Sequence, residues 1–99
     1  NDMINSVIIN DKDNVIVAIE PIKKDEVVEY KDLDGEIKSL KALDDIKIYH
    51  KIAIKNIEIE KPVIKYGEHI GFAIKEIKIG EHVHDHNTEG RREDLEAIE

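Results

Sequence analysis

Cysteine is absent from this chain. That excludes disulfides, thiolate nucleophiles and cysteine-ligated zinc, and it fits a reducing compartment. Positive charge is in short supply: 15 Lys and Arg stand against 23 Asp and Glu, a net charge of −8. A nucleic-acid binder needs a basic face to neutralise phosphates, so that class is excluded. A small acidic substrate is not, because a local field can oppose the net charge. No apolar run approaches the length that spans a bilayer, so no membrane partner is expected. No basic segment followed by an apolar stretch opens the chain, which argues against a signal peptide in these residues. A cytoplasmic location is the default expectation. Aromatics make up only 4% of the 99 residues.

What is present is aliphatic and charged. Hydrophobic residues reach 40% and charged residues 38%. A chain of this size forms one domain with a modest core and little room for a deep pocket. Its aliphatics are dominated by Ile and Val, which lose little conformational freedom in strands, so an all-β domain is expected.

A repeat supports this. Ala18-Ile19, Ile22 and Val28 recur as Ala53-Ile54, Ile57 and Val63, and again as Ala73-Ile74, Ile77 and Val83. Each copy reads as a strand, a charged corner and a second strand. Gly80 stands where a turn needs positive φ, with Asp25 and Glu60 in the same place in the other copies. The copies are too short for helices, and Pro21 and Pro62 interrupt two of them.

Further strands are predicted at Ser6 to Ile9 and Asn14 to Val17 around a turn at Asn10 to Asp13. Asp34-Gly35 marks a second turn. Leu40 to Asp45 suggests a short helical turn leading into a strand at Ile46 to Tyr49. Gly67 ends a strand whose Tyr66 should pack on the core, and Gly71 within the next strand signals a bulge or a close backbone approach. The expected core is Val15, Val17, Ile19, Ile22, Val27, Ile52, Ile54, Ile57, Val63, Ile70, Ala73, Ile74, Ile77 and Val83. The folded domain should run over 1–87. Residues 88–99 read as a charged tail or linker, with a helical turn at Glu93 to Ile98. The acidic runs at Asp11 to Asp13 and Asp44-Asp45 read as solvated loops.

The chemistry concentrates in His82-Val83-His84-Asp85-His86-Asn87. Alternate residues of a strand share a face, so these imidazoles can form a row that moves protons or ligates a metal. The plain alternative is a strand with surface histidines. His82 adjoins the Gly80 turn, which leaves His84 and His86 as a two-histidine half-site ending in Asn87. Missing ligands would come from His50 or a partner chain. His50-Lys51 is the other candidate pair, since a Lys beside a His can meet a substrate carboxylate or lower the imidazole pKa. A solvated strand start is the alternative there.

Ala-Ile-x-x-Ile-x-x-Gly-x-x-Val, complete over Ala73 to Val83, resembles the signature of SAF domains of the β-clip type. His50-Lys51-Ile52-Ala53, Val63 to Gly71 and Gly80 to Asn87 resemble the small subunit or N-terminal domain of the altronate and galactarate dehydratase family. That family also takes in the small subunit of sulfolactate sulfo-lyase. The resemblance implies a small SAF-like β-clip of short strands with long connections. It implies a carbon–oxygen lyase that removes water from a sugar acid with iron(II) or manganese(II). A separate large catalytic subunit would be the partner, and a second copy of this chain is a further one. On this reading His50 and Lys51 are catalytic candidates, Asn87 and Lys51 contact substrate, and His84, His86 and His82 hold metal. Tyr49 departs from the family pattern, which often has Gly there, as do Lys47 and Asp85. Two rivals stand beside this reading: a sulfolactate sulfo-lyase small subunit, and a non-catalytic module that binds carbohydrate or a partner protein.

Overall fold

The computed structural model describes residues 3–90. Among them there is no helix, and nine short strands form three antiparallel sheets. The strands are β1 (Ser6–Val7), β2 (Val15–Ala18), β3 (Val27–Lys31), β4 (Ile37–Lys41), β5 (Lys51–Ala53), β6 (Pro62–Lys65), β7 (Glu68–Ala73), β8 (His82–Val83) and β9 (Thr88–Glu89). The sheets have the orders β1-β2-β5-β8, β3-β4 and β6-β7-β9. The all-β expectation holds.

The repeat has a fourth copy that the sequence pattern hides. It starts at Ala42, with Leu43 where the others have Ile, and continues through Ile46 to Ile52. All four copies turn the same way. The seventh residue after the leading Ala has positive φ in each: Asp25 at 75°, Tyr49 at 70°, Glu60 at 75° and Gly80 at 96°. The next amide closes the turn on the carbonyl three residues back, at 3.0 Å in all four: Glu26 on Lys23, His50 on Lys47, Lys61 on Glu58 and Glu81 on Lys78. The copies interlock in pairs, with Ile22 bridged to Ile46 and Ile57 to Ile77.

This interlocking explains why no helical turn forms at Leu40 to Asp45. Ala42 exchanges backbone hydrogen bonds with Asp25 and Glu26 at 2.8 and 2.9 Å, so tertiary pairing overrides a local preference for helix. Ile46 joins only an isolated bridge rather than the predicted strand. At the other end, β9 carries strand pairing past Asn87 through Thr88 and Glu89. The helical turn expected at Glu93 to Ile98 lies outside the described residues.

Strand alternation divides the interior in two. Ile16, Ala18 and Ile52 face a cluster with Ile22, Val28, Tyr30, Ala42 and Ile46. Val15, Ala53 and Val83 face a second cluster with Ile57, Val63, Ala73 and Ile77. The β2-β5-β8 ladder is the partition between them. Each fully buried Ile or Val contributes about 1.5–3 kcal/mol. Four expected core residues fall outside. Val27 is 58% exposed because Val28 and Tyr30 take the inward face of β3, and Val17 is half-buried. Ile19 and Ile74 share the outward position after the leading Ala and are exposed. Tyr66 is exposed too, with φ of 58° in the Tyr66-Gly67 hairpin turn, and Lys65 Nζ covers its ring at 5.0 Å.

Candidate functional site

Two copies of the repeat deliver the histidines to one end of the partition. His50 follows the positive-φ Tyr49 and leads into β5, and its carbonyl accepts the amide of Ala18 at 2.9 Å. His82 opens β8 and pairs with Ile52. Its amide donates to Asp44 Oδ2 at 3.0 Å, which ties the strand start to the neighbouring copy. His84 comes two residues later and shares His82's side of the chain, with ring centroids 5.4 Å apart.

The result is a cluster of His50, His82 and His84, whose ligand nitrogens all lie within 4.8 Å of one another. His50 Nδ1 and His82 Nε2 are 2.8 Å apart, one donating and the other accepting. His84 stacks on His50 at 4.3 Å with an interplanar angle of 18°. His86 stands at the rim, its ring tilted 5.2 Å from that of His82. His82, assigned by sequence to a turn, is thus central. The strand face expected for His84 and His86 is replaced by a turn over His84 to Asn87, in which Asn87 N and Thr88 N both close on His84 O at 3.1 Å.

The electrostatics keep His82 and His50 neutral. Burial pushes His82 down from 6.5 to about 4; His50, His86 and His84 push the same way, and Asp44 opposes them. His50 is also lowered, by burial first and then by His84, Lys47 and Lys51, against Asp85. Near pH 7 both rings are therefore neutral, the form a metal requires, and an ion between His50 Nδ1 and His82 Nε2 would replace the hydrogen bond that they share. Two nitrogens bound to one ion at about 2.0–2.1 Å lie roughly 3 Å apart. The His50–His82 spacing fits that bite, and His84 offers a third nitrogen within 4.8 Å of both. Imidazole donors suit iron(II) better than manganese(II), which favours oxygen ligands.

The other candidates fall elsewhere. Lys51 is next to His50, but alternation sends it to the opposite face with Val83. There it lines a groove with Val63, Ile70, Gly71, Asp85 and Thr88. Burial lowers its pKa, Lys65 adds to the effect and Asp85 opposes it. Asn87 is buried, its Oδ1 accepting His84 N at 3.0 Å and its Nδ2 donating to His82 O at 2.8 Å. This engages both polar ends of its side chain in shaping the histidine turn. Asp44, which no sequence signal separated from the acidic run around it, is the residue that reasoning missed. Asp13, from another such run, is 1% exposed and accepts the amides of Asn10 and Gly67.

A helix-free domain of short strands, with an interlocked repeat and an imidazole cluster at a strand end, defines a small all-β β-clip of the SAF kind. A family model for the altronate/galactarate dehydratase SAF domain matches residues 4–91, and the chain belongs to that family. It is similar to altronate dehydratase of Bacillus subtilis (strain 168), 40% identical over 88 residues, which is 89% of this chain and 17% of that protein. Altronate dehydratase of Escherichia coli (strain K12) is 37% identical over 84 residues, 85% of this chain and 16% of that protein. The (2R)-sulfolactate sulfo-lyase subunit alpha of Paracoccus pantotrophus is 43% identical over 53 residues, 54% of this chain and 79% of that subunit. The chain therefore spans about one sixth of the length of the altronate dehydratases it matches.

Proposed function

We propose that the chain is the SAF part of a sugar-acid hydro-lyase, working with a separate larger catalytic part to eliminate water from an aldonate such as altronate. The observation that carries this reading is the convergence of His50, His82 and His84 in a chain with little other reactive chemistry. The three imidazoles would hold iron(II) or a similar divalent ion. When bound, such an ion polarises a substrate oxygen as a Lewis acid. His50 and His82 supply neutral nitrogens, Asn87 holds the turn that presents His84, and Asp44 fixes the start of β8.

A further fact supports a partner. The cluster itself is half-buried at an edge rather than enclosed, so a polar substrate needs additional walls. Lys51, on the other face, is a candidate to meet an acid group that reaches its groove. A sister reading is the small subunit of a sulfolactate sulfo-lyase. The match to 79% of the Paracoccus pantotrophus subunit alpha favours it, because that protein is itself a small chain.

The test reconstitutes the chain with the large dehydratase polypeptide of its own organism and assays water loss from altronate and sulfite release from (2R)-sulfolactate. Water loss that needs both pieces and iron(II), and falls at least about 100-fold in His50→Ala and His82→Ala, supports the hydro-lyase. Sulfite release alone moves the assignment to the sister activity. Turnover of neither acid overturns both and leaves a non-catalytic binding module.

A further inference from the structure

The groove that Lys51 lines has a volume of about 340 Å³, near the lower end of the roughly 300–1,000 Å³ of small-molecule sites. Three kinds of surface meet in it. Val63 belongs to the second core and Ile70 packs against that core, so the two bring an apolar edge to the groove. Lys51 brings a half-buried cation that forms no ion pair among the described residues. Lys65 is near enough to repel it and so adds positive charge to the same region. Asp85 and Glu89 are exposed and bring negative charge. A half-buried ammonium without an ion pair carries a desolvation cost that a bound anion offsets. A bare anion suits only half of this groove, because carboxylates repel it. A ligand with one carboxylate and several hydroxyls suits all of it, since an ionised carboxylate only accepts hydrogen bonds and hydroxyls donate them.

We propose that this groove is a second ligand site, separate from the histidine cluster, for a polyhydroxy monocarboxylic acid. Lys51 pairs with the carboxylate, Asp85 accepts from the hydroxyls, and the carbon chain lies against Val63 and Ile70. The inference deepens the sugar-acid reading above and rests on it for the choice of acid. Lys51 shares the face of Val83, whereas His82 pairs with Ile52 on the other face, so binding in the groove needs no metal ion. The two sites still share a turn. Asp85 follows His84 directly, and its Oδ2 lies 4.0 Å from His84 Nε2. Thr88, which also lines the groove, donates from Oγ1 to His84 O at 2.8 Å. An acid held by Lys51 and Asp85 therefore sits against the segment that presents His84.

The test titrates the whole chain, in EDTA, with D-altronate and separately with acetate. Amide NMR shifts of Gly71, Asp85 and Thr88 report occupancy of the groove. Altronate is expected to shift all three and to bind at least about tenfold more tightly than acetate. Lys51→Met should weaken altronate at least about tenfold, while Lys51→Arg keeps the charge and stays within about threefold of the parent. His82→Ala should leave altronate binding within about twofold. Asp85→Ala separates the two kinds of contact: altronate weakens by about threefold or more, whereas acetate binds no worse because a repelling charge is gone. Equal affinity for the two acids, or an Asp85→Ala effect that is the same on both, overturns the site as one for polyhydroxy acids. Altronate binding that survives Lys51→Met, or no shift at tens of millimolar altronate, overturns it outright. Turnover by the reconstituted enzyme is read separately. Turnover without groove binding removes this site alone, and groove binding without turnover leaves the site standing and removes the hydro-lyase.

Discussion

Asn5, Asn14 and Asn87 perform the same task in three places. Asn5 donates from Nδ2 to Val27 O and accepts the amide of Glu29. Asn14 does so with Pro62 O and Ile64 N, and Asn87 with His82 O and His84 N. In each case the side-chain amide imitates a neighbouring strand and satisfies two backbone groups at matching positions of a repeat copy. Sequence reasoning found Asn87 because it ends the histidine run, but gave it a substrate. The amide bridge is invisible in one dimension, since Asn5 and Asn14 lie 22 and 48 residues from the carbonyls they bind. Asn87→Ala leaves a buried carbonyl and amide unpaired, so unfolding free energy should fall by about 2–3 kcal/mol in urea titrations. Because the lost bonds frame His84, iron(II) affinity in calorimetry should fall with it. Lys51→Met gives the contrast. It removes a half-buried cation from the face opposite the histidines. Metal affinity should stay within about twofold while stability holds or rises, since burying its charge is unfavourable even with Asp85 nearby.

At the level of elements, the corners were legible and the pairings were not. Gly80, Asp25 and Glu60 could be placed at turns because positive φ and polar corners are local properties. The fourth copy escaped because Leu43 breaks the Ala-Ile start and Asp44-Asp45 reads as solvated. Only the partner strand shows that Asp45 Oδ1 accepts Lys24 N at 2.8 Å and that Ala42 is wholly buried. Gly71 was legible as a close approach, and its physical cause is β9. A Cβ there would meet the carbonyl oxygen of Glu89 at 2.9 Å, while the register of β6 against β7 shifts between Val63 and Ile64. Gly71→Ala should therefore push β9 away from β7 and cost about 1–3 kcal/mol. Amide hydrogen exchange at Thr88 and Glu89 would register the loss of β9 before the rest of the sheet. Gly35, with φ of 90° and nothing within 4 Å of an added Cβ, should cost only about 1 kcal/mol on change to Ala.

At the scale of the whole molecule, a single thin ladder separates two small cores, and the histidine cluster is seated at its edge. The same burial that keeps His82 uncharged makes the fold sensitive to acid. In the unfolded chain this histidine takes up its proton near pH 6.5, but in the folded chain only near 4. Between those values the unfolded state binds more protons, so stability rises with pH across the window. It is complete above about 6.5, declines as pH falls toward 4 and changes no further below that on account of this group. His50, lowered in the same direction, reinforces the decline. Because both rings are partly solvated, the loss should be about 1–2 kcal/mol rather than the full linkage value. The Asp32 carboxyl, lowered from 3.8 by the amide of Glu36 before its other partners, acts in a lower window. Urea unfolding of the metal-free chain, in EDTA at a series of pH values from 4 to 7.5, would show the slope. His82→Gln removes the titrating group and should flatten the curve between 4 and 6.5 without touching the fall below 3.8. Iron(II) under anaerobic conditions should steepen the parent's dependence, because the ion binds only the neutral imidazoles of the folded state. An unchanged slope in His82→Gln would mean that the acid sensitivity does not arise from His82.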